Sequence, residues 1–419
     1  MVIFGAREDC VFDREVGEVK LRAARGGTGE LPLNRLYCTT ESDFARYKRI
    51  AAKAGAPSLL FNMPADVLAA HVGQLPALLG GSGEYPLSAH LILNQLRPLA
   101  ARAQREKRPL RLAVMNGFGQ GLGDVITGLT ALRLLRDLLE EHAIARPKID
   151  VLVHRMYLKT VNPVYRKSTD IENALSQPLP VDQLVKYDGV WDLAGCLRKP
   201  TFSRLPLIDF FLDALGCDAS AFPKESKNNA PLPVPASVLR KARGLLEKAP
   251  GPKMMFHAKS SNYLRDMPDS VCRKFLDYIV THTGYSVISL TPMFFDHPRF
   301  FDFSRYSQTF DDYCGFIASV NALVTVDTST YHIAAGYDIP SVVLFSTVPP
   351  TLRTPYYPSV TGMLLPDAEQ SPFFMKHMPK FPTPGAEERA ALEALWGRLD
   401  FSAVLEAIVG ADSSAMTRL

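Results

Sequence analysis

The sequence predicts an α/β protein: two doubly wound parallel-sheet domains facing a cleft, with an additional N-terminal region. Three observations lead there. From residue 110 onward, short apolar runs that read as buried strands alternate with stretches of helical periodicity. The alternation stops at a Pro-, Asn- and Ser-rich segment, "DASAFPKESKNNAPLPVPASV", and then restarts. The chain has 419 residues, 47% of them hydrophobic, which is ample for two packed cores at about 100–200 residues per domain.

Residues 1–108 read as a separate extension of unknown fold. Short strands are expected near "EVKLRAA" and "PSLLFN", and helices over 64–79 and 88–106. The first Rossmann-like domain is placed at 109–235. It opens on the strand "LRLAVM" (110–115), followed by a glycine turn and a helix with Val125, Leu129, Leu132, Leu135 and Leu139 on one face. Strands at 149–154 and 187–193 and a helix at 206–217 complete it. The second domain is placed at 236–385. Its strands are at 253–258, 285–290, 322–326 and 341–345, and its helices at 269–282, 311–320 and 330–336. Residues 386–419 hold two further helices, at 386–397 and 401–409, and a disordered tail, "ADSSAMTRL".

Composition excludes several classes. Lys and Arg number 47 against 43 Asp and Glu, so no basic excess calls for a nucleic-acid partner. The six cysteines are scattered, with no pair closer than the 21 residues between Cys196 and Cys217, which fits buried thiols in a reducing cytosol. "MVIFGAREDC" meets charge before any long apolar run and is no secretory signal. The span "LPLIDFFLDALGC" carries two aspartates and is too short to cross a bilayer. A soluble cytoplasmic protein is expected, with contact at a membrane surface left open.

Ligands of such sheets sit beyond the carboxyl ends of the strands, so the loops there carry the chemistry. After "VTV" comes "DTSTYHIAAGYDIP". Asp327 stands at the strand end, Thr328 or Ser329 can cap the next helix, and His332 lies one turn in. After "MMFHA" comes "KSSNYLRDMP", with Ser260 and Ser261 followed by Arg265. Hydroxyls, helix ends and a guanidinium together suit a diphosphate. Taken singly, each also reads as a cap or a packed side chain. "GQGLGDVITGLTALRLLR" places Asp124 at the mouth of a helix, where a phosphate would be repelled; it is either a cap or a general base. Arg155, Lys159, Arg166 and Lys167 suit an anionic acceptor or a solvated basic surface. "TVPPTLRTPYYP" (347–358) lies near where a nucleotide-sugar would rest, or simply shapes a loop.

"GLGDVITGLTALRLLR", "FHAKSSNYLRDMP" and "VDTSTYHIAAGYDIPSVVLF" together resemble the bacterial heptosyltransferases of glycosyltransferase family 9, in order and spacing over roughly residues 110–365. The resemblance implies a GT-B fold and inverting, metal-independent transfer of heptose from ADP-heptose to the lipopolysaccharide core. It implies no cofactor besides the nucleotide-sugar donor and no bound metal. It makes Asp124 the general base on the acceptor side of the cleft. Ser260, Ser261 and Arg265 match donor-phosphate positions, and Asp327 a carboxylate facing the sugar. Thr328 and Ser329 match the turn under the diphosphate, and His332 a residue supporting it. Where the family usually has Gly after Asp-Thr, this chain has Ser329, and Arg265 stands where Lys is common. A related branch glycosylates protein hydroxyls and binds iron through clustered cysteines; this chain has no such cluster.

Two other functions remain open at this point: a transferase of the same fold acting on a protein hydroxyl, and a noncatalytic sugar-nucleotide-binding protein. A dinucleotide oxidoreductase is disfavoured, because the second strand ends in His154-Arg155 rather than an acidic residue.

Overall fold

The structure is a computed structural model and describes residues 2–4, 36–39, 59–62, 90–177, 186–193, 200–375 and 385–416, with 183 and 196. It comprises two compact units: Met1–Phe202 with Ile208–Pro223, and Ser203–Leu207 with Lys224–Leu419.

The first unit is built on strands β1 (Val2–Phe4), β4 (Arg111–Met115), β5 (Lys148–His154), β6 (Asn173–Gln177) and β7 (Gly189–Asp192). They lie in the order β1-β7-β4-β5-β6, every pair parallel. A separate parallel pair joins β2 (Leu36–Thr39) and β3 (Leu59–Asn62). The expected helices appear as α1 (Leu91–Arg105), α2 (Leu122–Glu141) and α4 (Leu207–Ala214). Between α2 and α4 lies α3 (Arg155–Tyr165), which periodicity did not indicate because Pro163 interrupts it. The apolar stripe read from α2 is the buried one: Val125, Leu129, Leu132, Leu135 and Leu139 are all in the core.

The N-terminal region is not set apart at residue 108. β1 is the edge strand of the first sheet, pairing with Gly189–Trp191, and α1 buries Ile92, Leu93, Leu96 and Leu99 in the same unit. Three residues with no periodicity around them gave no sequence signal for such an edge strand. The expected strand at "EVKLRAA" and helix at 64–79 lie outside the described residues.

One glycine seats the turn after β4 on α2. A Cβ at Gly128 would stand 2.1 Å from Phe118 Cγ, so the Phe118 ring lies directly on the helix backbone. The ring is buried and meets Phe211 of α4 edge to face at 5.5 Å. Gly128→Ala is therefore expected to destabilise the protein by about 1–3 kcal/mol, the usual cost of overpacking a full core. Urea unfolding checks it, and an unchanged midpoint would show that Phe118 yields without cost.

The second unit carries β8 (Lys253–His257), β9 (Ser286–Ser289), β10 (Phe300–Asp302), β11 (Ala322–Val326), β12 (Ser341–Phe345) and β13 (Val360–Leu364). Its sheet runs β10-β9-β8-β11-β12-β13, all parallel. Counted within the unit this is the doubly wound order 3-2-1-4-5-6, which reverses between β8 and β11. The helices are α5 (Ala236–Leu246), α6 (Asp269–His282), α7 (Phe310–Ile317), α8 (Ser329–Gly336), α9 (Ala386–Trp396) and α10 (Phe401–Met416).

Two boundaries differ from the sequence reading. The 224–235 part of the Pro-rich segment belongs to the second unit and packs on α8: the Asn229 side-chain amide donates to the His332 carbonyl at 3.0 Å, and a Cβ at Gly336 would meet the Ala230 carbonyl oxygen at 2.7 Å. The C-terminal helices are part of this unit too, with Val404 and Ile408 buried in its core. The expected disordered tail is helical to Met416, and residues 417–419 lie outside the described ones.

Among the described residues, no helix is long and apolar enough to cross a membrane. Cys196, Cys217, Cys272 and Cys314 are free and buried, and burial pushes the Cys217 and Cys272 thiols up to about 12. The side chains of Cys10 and Cys38 lie outside the described residues.

Candidate functional site

Each unit gathers its chemistry-bearing residues where its strand order reverses. In the first unit that point lies between β4 and β7, and the turn leaving β4 there leads to Asp124. Asn116 and Gly117 take left-handed backbone at φ 66° and 59°, and Gly119 reaches φ 124°. The last is open only to glycine at little cost. Tyr165, buried at the end of α3, accepts the Phe118 N–H on its phenol oxygen at 3.1 Å and pins the turn from below.

Asp124 stands in the first turn of α2, three residues past Gly121, which occupies the N-cap position. Its carboxylate folds back over the turn. A Cβ at Gly119 would lie 2.9 Å from Oδ2, and one at Gly121 would lie 3.2 Å away. Gly119 and Gly121 are glycines because this carboxylate needs their space. Asp124 is only half-buried, so a ligand can reach it. Of the basic residues read as acceptor contacts, Arg155 and Lys159 are exposed on α3, and Arg166 and Lys167 follow directly at its end, the first exposed and the second half-buried.

In the second unit the reversal point lies between β8 and β11. The loops leaving these two strands are sequence-distant but meet in space. Arg265 Nη1 donates to Asp327 Oδ2 at 3.2 Å, and Arg265 Nη2 donates to Ser261 Oγ at 3.2 Å. Tyr331 donates its phenol proton to the other Asp327 oxygen at 3.2 Å. Asp327 is buried, and burial by itself would raise its carboxyl. Arg265 and Arg353 outweigh that and hold it below the usual carboxylate range. It is therefore an anion whose charge is matched inside the protein, as a buried charge requires.

Ser260 and Ser261 are used differently. The Ser260 hydroxyl is committed to its own loop, donating to the Asn262 carbonyl at 2.8 Å and accepting the Asn262 N–H at 3.0 Å. The Ser260 N–H donates to Asp266 at 2.6 Å, so Asp266 shapes the loop. Ser261 is exposed and points its oxygen at Arg265. Lys259 grips the start of α6 through Asp269 at 2.7 Å and the Met267 carbonyl at 3.2 Å.

Thr328 holds the N-cap position of α8, but its side chain makes no cap hydrogen bond. The expected hydroxyl cap at this position is thus not formed. Thr328 has extended backbone (φ −149°, ψ 168°), and the first-turn N–H groups of the helix are not taken up by its hydroxyl. Thr328 and Ser329 are both partly exposed there. An anion at this end would meet those N–H groups and the positive end of the helix dipole.

His332, buried one turn into α8, hydrogen-bonds through Nδ1 to the Tyr357 phenol at 2.8 Å. Burial pushes it down to about 3, with Arg353 and Arg265 acting in the same direction and Asp327 against. It is a neutral imidazole at neutral pH.

Sequence reading missed Tyr331, Tyr357, Arg353 and Asn229. Tyr331 stood inside the quoted "DTSTYH" motif, and Arg353 and Tyr357 inside the Pro-rich loop 347–358. Asn229 carried no signal, since its linker gave no hint of packing on α8. Among the described residues, no group of three or more His, Cys, Asp or Glu is placed to hold a metal ion.

Residues 309–380 match the family model described as glycosyltransferase family 9 (heptosyltransferase). That segment includes Asp327, Thr328, Ser329, His332, Arg353 and Tyr357. No curated protein matches the chain in sequence. Solved structures of similar layout include ADP-heptose lps heptosyltransferase II of E. coli, 12% identical with a TM-score of 0.48, covering 73% of this chain and 99% of that one. A family 9 glycosyl transferase from Veillonella parvula is 14% identical with a TM-score of 0.47, covering 73% of this chain and 97% of that one. The dodecameric iron-containing heptosyltransferase TibC, from enterotoxigenic E. coli and solved with ADP-D-β-D-heptose, is 12% identical with a TM-score of 0.44, covering 74% of this chain and 79% of that one. Residues 309–380, which carry the second-unit site from β11 onward, are thus similar to glycosyltransferase family 9.

Proposed function

We propose that this protein is an inverting, metal-independent glycosyltransferase that moves a sugar, heptose, from an ADP-sugar to a glycan acceptor such as the lipopolysaccharide core. The observation that carries the reading is the cluster of Arg265, Ser261 and Asp327 beside the N-terminus of α8, at the strand reversal of the second sheet. A guanidinium carries five donors, so the group that ties down Asp327 and Ser261 also meets an anion. Arg265 and the α8 N–H groups are fixed donors for a diphosphate, and Asp327 is a fixed anion for the sugar side.

In the reaction the acceptor hydroxyl oxygen bonds to the anomeric carbon from the face opposite the diphosphate. The bond from that carbon to the β-phosphate oxygen breaks, and ADP departs with the electron pair. Asp124 takes the hydroxyl proton. Charge developing on the leaving diphosphate is met by preorganised protein donors. The chain holds no Asp-x-Asp. The exposed Arg155, Lys159 and Arg166 support an anionic acceptor such as a phosphorylated lipid-linked glycan, met at the cytoplasmic face of the inner membrane.

Calorimetry against ADP, UDP and GDP, then against the corresponding nucleotide-sugars, tests the donor. ADP binding tightest is the expected result, and preference for UDP or GDP would overturn it. Transfer should persist in EDTA. Activity lost with EDTA and restored by Mg²⁺ or Mn²⁺ would replace the metal-independent route.

A further inference from the structure

The loop that carries Arg265 is held by a strand two places away in the sheet. We propose that Ser346 is a positioning residue that sets the direction of Arg265 and, through it, the affinity for a nucleoside diphosphate. This rests on the donor-site reading above and deepens it.

Ser346 directly follows β12 and is buried. Its hydroxyl donates to the Leu264 carbonyl at 2.8 Å, across 82 residues of chain. The roles are fixed, because a carbonyl only accepts. In the sheet, β11 lies between β8 and β12. The loop leaving β8 therefore crosses the end of β11 to reach Ser346. Asp327 stands at that end, and Arg265, the residue after Leu264, meets it there at 3.2 Å.

The peptide joining Leu264 to Arg265 is held at both of its polar groups. Its carbonyl accepts from Ser346, and its N–H donates to the Asn262 carbonyl at 3.0 Å. A peptide unit is planar, so fixing both groups fixes the direction in which Arg265 leaves it. Ser346 is itself held on either side. The Phe345 carbonyl accepts the Leu365 N–H at 2.9 Å, and the Thr347 carbonyl accepts the Met375 N–H at 2.7 Å.

The Leu264 side chain also anchors this turn, since it is fully buried in the core of the second unit. Apolar burial is non-directional and sets how deep the turn sits, whereas a hydrogen bond sets how its peptide faces. Direction matters here. One guanidinium must reach both Asp327 and Ser261, each at 3.2 Å, and still present donors to a diphosphate. Without the Ser346 hydroxyl the buried carbonyl loses this donor and the peptide turns to find another, carrying Arg265 with it. Asp327 and the start of α8 stay where they are, because they belong to β11 and its helix.

A double-mutant cycle tests the assignment. Ser346→Ala should weaken ADP binding by about 3- to 10-fold, the scale of one ordinary hydrogen bond. In the Arg265→Ala background the same change should cost less than about 2-fold, because the residue through which Ser346 acts is gone. Backbone amide exchange at Arg265 and Asp266 should quicken in Ser346→Ala, and a circular dichroism melt confirms that the variant is folded. If the Ala variant does not fold, Ser346→Cys keeps the size with a weaker donor and runs through the same cycle. Unchanged ADP affinity in a folded variant overturns the assignment. So does an equal loss in both backgrounds, which is what a general loosening of the unit would give. Failure of the donor-site reading looks different: the wild-type protein would not bind ADP, while amide exchange would still show whether Ser346 holds the Arg265 peptide.

Discussion

Asp124→Asn should lower transfer by about 10²–10⁴-fold while leaving the fold and ADP affinity nearly unchanged. The substitution keeps the size of the side chain and removes its basicity. Displacement at an anomeric carbon needs the acceptor oxygen to lose a proton as the new bond forms, and Asn cannot take it. The structural side of the argument is the space left for the carboxylate by Gly119 and Gly121, which Asn also fits. Gly121, not Asp124, occupies the N-cap position of α2, so the helix start does not depend on an aspartate cap side chain. Single-turnover transfer, a thermal melt and ADP calorimetry on the same preparation check the three parts. Early melting with normal activity per folded molecule would make Asp124 a structural residue of the turn and remove the catalytic assignment.

Arg265→Ala should weaken ADP binding by about 1.5–3 kcal/mol, roughly 10- to 150-fold, as expected for a lost hydrogen bond to a charged partner. Two effects combine. The diphosphate loses a fixed cation, and Asp327 loses the guanidinium 3.2 Å from its Oδ2. The second effect matters because Asp327 is buried. With Arg265 gone, burial pushes its carboxyl up and the Arg353 guanidinium is left to oppose it. Arg265→Lys keeps the charge but not the fork that spans Asp327 and Ser261, so it should fall between the wild-type protein and the Ala variant. Calorimetry against ADP decides it, and unchanged affinity in the Ala variant would take Arg265 out of the site.

Much of the fold was legible in the sequence. Strand β4, the glycine turn and helix α2 stand close to where apolar runs and helical spacing put them, because a buried parallel strand must be continuously apolar and a covering helix must repeat near 3.6 residues. The same holds for β8, α6, β11 and β12. Elements without a strong pattern escaped: β6 and β10 are short and only partly buried, and α3 and α5 are mostly solvent-facing. The N-terminal strand β1 is three residues long and finds its place only by pairing with β7, more than 180 residues away in the chain.

The sequence by itself determined the two sheets, the loops proposed to carry the chemistry and the residue types in them: Asp124 after its glycines, Ser261 and Arg265 after β8, Asp327 and His332 after β11. Local spacing dictates these, since a strand end, a turn and a helix start are neighbours in the chain. Only the tertiary structure decided which groups are partners. Arg265 and Asp327 are 62 residues apart, and they meet because the second sheet places β8 beside β11 and reverses its order there. Asn229 and His332 are 103 residues apart, joined because a proline-rich stretch folds onto α8. Hydrogen bonding and charge depend on distance in space, and the parallel sheet brings sequence-distant strand ends within a few ångströms of one another, so the electrostatics of the site could not be read from the order of its residues.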